Sequence, residues 1–174
     1  MRLIVLLLLL PLSLLAQERQ WVKIGETTMS WGYSIPYKLE LHTPKGIHNI
    51  DDIKNGLQSF RFVVIWQPPE TSKKQTQAHF KNLLSEQFKQ PEDLYFNQSL
   101  IERFIRKLPS ANRFDRWQFI YEPDAGTKLV INDQEMHRMI GAEINRALRN
   151  AWLKKGPVET SKLFKRLLKK RANS

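Results

Sequence analysis

The chain contains no cysteine, which rules out disulfide staples, a cysteine nucleophile and a thiolate zinc site, so the fold must hold by packing alone. Glycine is scarce, at 7 residues. It gathers nowhere into a phosphate-cradling loop or a GxSxG elbow. The 4 histidines, His42, His48, His79 and His137, form no i, i+4 pair and no HExxH pattern. Neither a metal nor another cofactor is therefore expected. The paired carboxylates Asp51-Asp52 and Glu92-Asp93 are neighbours in sequence, so their side chains point apart. Both pairs stand where a helix would begin, which suits the macrodipole better than acid–base catalysis. Internal repeats and low-complexity linkers are absent as well.

No apolar run reaches the roughly 20 residues that span a bilayer. What the N-terminus does carry is one positive charge at Arg2, an apolar stretch from Leu3 to Leu15 broken only by Pro11 and Ser13, and Ala16 before a polar Gln17-Glu18-Arg19-Gln20. This layout reads as a signal peptide over residues 1–16, cleaved after Ala16. An uncleaved N-terminal anchor is the alternative, because Leu14 is larger than peptidases favour three residues before a cut. Either way the domain at residues 17–174 is expected outside the cytoplasm, in the periplasm. Its 174 − 16 = 158 residues suit one domain with a real core.

Acidic residues are in deficit, 17 against 28 lysines and arginines, for a net charge of +11. Such a balance calls for an acidic partner or surface. Export argues against nucleic acid and for the anionic head groups of a membrane, with a merely solvated basic surface as the plain alternative.

Alternation predicts strands at Trp21–Ile24, Thr27–Trp31 and Ile35–His42, where Tyr37, Leu39 and Leu41 interleave with Lys38, Glu40 and His42. A polar stretch from Pro44 to Asp52 precedes the apolar run Phe60–Trp66, which reads as a central strand. Thr71 or Ser72 can cap a helix from Lys73 to Phe88, with Phe80, Leu83, Leu84 and Phe88 on one side and Pro91 as its stop. A second helix carries Leu100, Ile101, Phe104, Ile105 and Leu108 up to Pro109. Arg116–Tyr121 is a strand ending in Pro123-Asp124-Ala125-Gly126; Leu129–Ile131 pairs back, and Asn132-Asp133 makes the next turn of a meander running to Ile140. After Gly141 a helix takes Ile144, Ala147, Leu148, Ala151 and Trp152, and Gly156-Pro157 breaks it. A last helix covers residues 160–170. This order predicts an α+β domain, a mostly antiparallel β-sheet with helices packed on one face.

The stretch Phe114–Ile131, the Asn132-Asp133 turn, the strand to Met139-Ile140 and the helix reaching Leu148-Arg149-Asn150-Ala151-Trp152-Leu153 together resemble the bacterial exported chalcone isomerase-like proteins. Val158–Leu168 is similar to that family's closing helix, and Trp31-Gly32-Tyr33 to its early strands. The resemblance implies an open-faced β-sandwich with a cleft between sheet and helices. In the plant enzymes that cleft cyclises a chalcone with the help of an arginine and several polar side chains. Arg19 stands six residues before Gly25, a spacing similar to that of the enzymes' arginine and a nearby glycine. Tyr33 and Ala151 replace two of their threonines, which points away from isomerase chemistry.

Some inactive relatives bind fatty acids, so the resemblance implies a non-catalytic domain whose cleft takes a small apolar or amphipathic ligand. Wall residues on this reading are Phe62, Trp66, Phe104, Trp117, Phe119 and Trp152, with Arg116 as a head-group contact beside Arg103 and Lys128. The same rings could equally be ordinary core, and the same cations ordinary surface charge. Two other functions stay open: an intramolecular lyase or isomerase on the same fold, and a basic interaction module. The last helix bears on the module, since Leu163, Phe164, Leu167 and Leu168 form a stripe opposite Lys165, Lys169 and Lys170. That pattern suits an anionic membrane surface or simple packing on the sheet.

Overall fold

The computed structural model describes residues 20–29, 36–46 and 49–153. The signal segment, Arg19, Tyr33 and the last helix with Lys165, Lys169 and Lys170 lie outside the described residues.

Six strands form one antiparallel sheet in the order β1 (Trp21–Met29), β2 (Tyr37–Pro44), β3 (Phe60–Trp66), β6 (Arg116–Glu122), β7 (Gly126–Ile131) and β8 (Gln134–Met139). A short ribbon of β4 (Glu70–Thr71) and β5 (Ala111–Asn112) stands beside it. The helices are α1 (Ile50–Asn55), α2 (Lys73–Ser85), α3 (Pro91–Ile105) and α4 (Ala142–Leu153). The expected α+β class is therefore observed, with β3 in the middle of the sheet as its apolar run requires.

Registers explain the two faces. Tyr37 opposes Trp66, Leu41 opposes Phe62, and Phe62 opposes Phe119, so one face of β2, β3 and β6 is a continuous apolar layer. The intervening residues put Glu40, His42, Arg61, Arg116 and Gln118 on the other face. Helices α2, α3 and α4 cover the apolar face, and their rings meet it. Phe80 of α2 lies 5.4 Å from Phe119, Phe104 of α3 lies 6.4 Å from the same ring, and Trp152 of α4 lies 4.8 Å from Phe62.

Local chemistry sets the element ends. Ser72 and Gln75 form a reciprocal capping box that starts α2. This helix ends at Ser85, short of the expected Phe88, and Pro91 does not stop it but begins α3, where its missing N–H is no loss. The expected strand Trp21–Ile24 and the described part of the expected strand Thr27–Trp31 are one strand, β1 (Trp21–Met29), with a register shift between Lys23 and Gly25; the bulge breaks the alternation that suggested two pieces. Helix α1 begins where the Asp51-Asp52 pair marks a helix start, with both acids in its first turn. Asn49 caps it by accepting from the N–H groups of Asp51 and Asp52, and Gly56 closes it in the left-handed region.

Asn145 docks α4 on the sheet edge. Its amide donates to the carbonyls of Met139 and Gly141 at 3.1 and 2.7 Å, and its oxygen accepts from the Thr127 hydroxyl. Gly126 lies under this contact at φ +78°, and a Cβ there would fall 2.2 Å from the Met139 carbonyl oxygen. Gly126→Ala is expected to destabilise the domain by about 3 kcal/mol through combined backbone strain and overlap. Thermal denaturation checks this, as a drop of roughly 10 °C in Tm.

His79 of α2 is 3% exposed, and its ring lies 5.3 Å from Tyr37. Burial pushes its pKa down to about 4. The unfolded chain takes up this proton near pH 6.5 and the folded chain only near 4, so stability is full above 6.5 and falls as pH drops toward 4. The His79→Phe variant is expected to lose less stability than the parent across that window, by up to about 3 kcal/mol. Urea unfolding at pH 7 and pH 4.5 measures the difference.

Candidate functional site

The six aromatic wall residues come together. Phe62, Trp66, Phe104, Trp117, Phe119 and Trp152 are all 0% exposed, and each ring neighbours at least one other of the six, within the sheet or across the helix–sheet layer. Trp66 meets Trp117 at 5.1 Å, Phe119 meets Trp152 at 5.2 Å, and Phe104 meets Phe119. The strand pleat delivers four of them and helical spacing the other two. Phe80, which the sequence places on the apolar side of α2, is the hub: its ring also reaches Trp117 at 5.9 Å and Trp152 at 6.2 Å.

Polar atoms are set into this layer. Trp152 Nε1 donates to the Tyr37 hydroxyl at 3.1 Å, and burial pushes the Tyr37 pKa up. The indole N–H groups of Trp66 and Trp117 are also buried, and neither has an acceptor among the described residues. Ala151 stands in α4, 0% exposed, and brings a methyl group where the resemblance calls for a hydroxyl.

Arg116 is not brought to these rings. It lies on the opposite face of β6, 3.8 Å from the Glu40 carboxylate, because the pleat that turns Trp117 inward turns its neighbour outward. Lys128 is on that face as well, 3.8 Å from Glu135. Arg103 lines a small cavity of about 90 Å³ with Leu100, His137 and Ile144.

The face that holds Arg116 carries a connected polar network. Arg61 donates to Gln118 at 2.9 Å and, through Nη2, bonds His42 Nδ1 at 3.1 Å. A guanidinium can only donate, so His42 Nδ1 accepts and its Nε2–H donates to Glu40 at 3.0 Å. Burial, with Arg61 adding to it, keeps the His42 pKa below its usual value. Burial alone would raise the Glu40 pKa, but the His42 hydrogen bond and the lysines Lys23 and Lys38 outweigh it and hold the pKa low. Both His42 nitrogens are taken, Nδ1 by Arg61 and Nε2 by Glu40, so the histidine has no free base to offer a substrate, while the buried Arg61 Nε has no acceptor among the described residues.

Two groups are not among the site residues expected from the sequence. Arg149 of α4 is 8% exposed; it donates to the Lys54 carbonyl at 2.9 Å and lies over the Tyr121 ring at 5.7 Å. A Cβ on Gly56 would stand 2.5 Å from its Nη1, so that glycine makes room for the guanidinium. The second is a cavity of about 300 Å³ where the α2–α3 connection meets α4, with Gln87, Phe88 and Lys89 on one side and Arg146 and Asn150 on the other. Only contacts between distant segments create either group. Among the described residues no cluster of His, Asp and Glu is placed to hold a metal ion, and no helix is long and apolar enough to cross a membrane.

Among curated proteins no sequence match is found. The fold is similar to that of a fatty-acid binding protein of Arabidopsis thaliana known from a crystal structure. The TM-score is 0.68 over 88% of this chain and 89% of that one, at 10% identity. Residues 37–169 match the chalcone isomerase-like family, a span that covers the sheet from β2 onward and all four helices. The chain thus belongs to the chalcone isomerase-like family.

Proposed function

We propose that this chain is an exported, non-catalytic member of its family that binds a small apolar or amphipathic ligand, a fatty acid in the first instance, between the sheet and its helices. Export rests on the layout of residues 1–16, and the resulting location is the periplasm. The observation that carries the binding reading is the pair of buried indole N–H groups of Trp66 and Trp117, which have no acceptor among the described residues. A buried donor without a partner costs roughly 1–3 kcal/mol. A carboxylate or carbonyl oxygen from a ligand would recover that loss, and the surrounding rings suit an acyl chain.

The same layer argues against isomerisation. Ala151 supplies no hydroxyl, and the one described histidine–carboxylate pair, His42 with Glu40, lies on the other face of the sheet. The Arabidopsis protein of similar fold is a fatty-acid binding protein, which fits this reading at the level of the shared scaffold.

A ligand reaching this layer must part rings that touch one another, so its arrival is legible in tryptophan emission. Titration with lauric acid is expected to give a saturable change in fluorescence. Trp117→Phe, which keeps an aromatic ring and deletes the N–H, is expected to weaken binding by about tenfold, in line with one charge-assisted hydrogen bond. Unchanged emission, together with no lipid extractable from the purified protein, would sink the proposal.

A further inference from the structure

The cavity at the junction of the α2–α3 connection and α4 shares no wall residue with the aromatic layer. Its volume of about 300 Å³ lies at the lower edge of small-ligand sites. Two of its wall residues have unmet hydrogen-bonding capacity. Gln87 Oε1 and Asn150 Oδ1 are buried, and neither has a donor among the described residues. The Gln87 amide is oriented, because its Nε2 donates to the Leu83 carbonyl at 3.3 Å. The oxygen is then the atom left to receive something. The smaller cavity at Arg103 has no such atom on its wall.

Charge narrows what could fill the space. Arg146 donates to Glu143, so those two neutralise each other on the rim. Lys89 and Asp93 remain, one cation and one carboxylate, and the lining has no net charge. An ionised carboxylate brings no donors to the two amide oxygens. A cation gains no net attraction, because Lys89 offsets Asp93. A neutral group with several hydroxyls fits both sides: it donates to Gln87, Asn150 and Asp93, accepts from Lys89, and can lay its carbon face on Phe88.

We propose that this cavity is a second binding site, which takes a neutral polyhydroxy group: a free sugar or the glycerol end of a monoacylglycerol. The site stands independently of the fatty-acid reading, since none of its residues belongs to the aromatic layer. Calorimetric titration of the full chain with glucose, 1-monolaurin and lauric acid tests it. Binding of glucose assigns a free sugar, and binding of 1-monolaurin without glucose assigns a lipid head group. In either case Gln87→Leu and Asn150→Leu are each expected to weaken binding by about tenfold, because a site built to hydrogen-bond hydroxyls loses most when its acceptors go.

The same variants are expected to unfold at or above the parent Tm without ligand, since each removes a buried oxygen that had no donor. Asn150→Ala carries the test if a leucine proves too large. The proposal is overturned if neither hydroxylated probe binds, or if binding survives all three substitutions. It is also overturned if lauric acid binds and depends on Gln87 and Asn150 as strongly as monolaurin does. Lauric acid binding that responds to Trp117→Phe, with glucose and monolaurin both inert, would uphold the aromatic-layer reading and overturn this one.

Discussion

Everything in this domain hangs on one layer of aromatic rings. With no cysteine to staple the chain, the sheet and the helices are joined by Phe62, Trp66, Trp117 and Phe119 from the strands and by Phe80, Phe104 and Trp152 from the helices, all 0% exposed. A large ring removes some 150–250 Å² from water, worth about 4–6 kcal/mol each in gross burial before the entropy of ordering is subtracted. Edge-to-face contacts such as Phe62 with Trp152 add direction to that burial. They also fix where each helix can sit.

The layer divides the molecule's chemistry. On its outer side the sheet shows the Glu40–His42–Arg61 chain, in which both His42 nitrogens are taken up within the network. On its helical side the polar atoms are few and incompletely matched: the Trp66 and Trp117 indoles in the layer, and the Gln87 and Asn150 oxygens at the helix junction. The unmet Trp66 and Trp117 donors lie among apolar rings, whereas the unmet Gln87 and Asn150 acceptors lie in a polar cavity of neutral charge. The two places therefore suit opposite ligand ends. A satisfied network rigidifies a fold, while an unsatisfied buried atom is where binding energy can be gained.

The scaffold was legible because alternation is a strong local signal. Tyr37, Leu39 and Leu41 against Lys38, Glu40 and His42, and Trp117, Phe119 and Tyr121 against Arg116, Gln118 and Ile120, forecast both the strands and their buried side. The bulge in β1 was missed because it interrupts the period, and of the short helix α1 only the start at Asp51-Asp52 was legible, because 6 residues carry too little periodicity to show an extent. Arg116 illustrates a different limit. As a cation beside a wall of aromatics it looked like a head-group contact, but one residue along a strand is the opposite face of the sheet. Gln87, Asn150 and Arg149 gave no sign of the contacts they make, since a lone amide or arginine on a helix reads as surface.

By itself the sequence determined the class of the domain, the face of each main strand that is buried, the absence of thiol chemistry and the aromatic residues that form the core. Those follow from composition and from periods of two and 3.6 residues, which act over a few positions. The tertiary structure alone decided that Phe80 is the hub, that Arg116 and Glu40 share the outer face, and that Gln87 and Asn150 meet across a cavity. These depend on strand order and helix docking, which bring together residues that are dozens of positions apart. No local pattern can encode that.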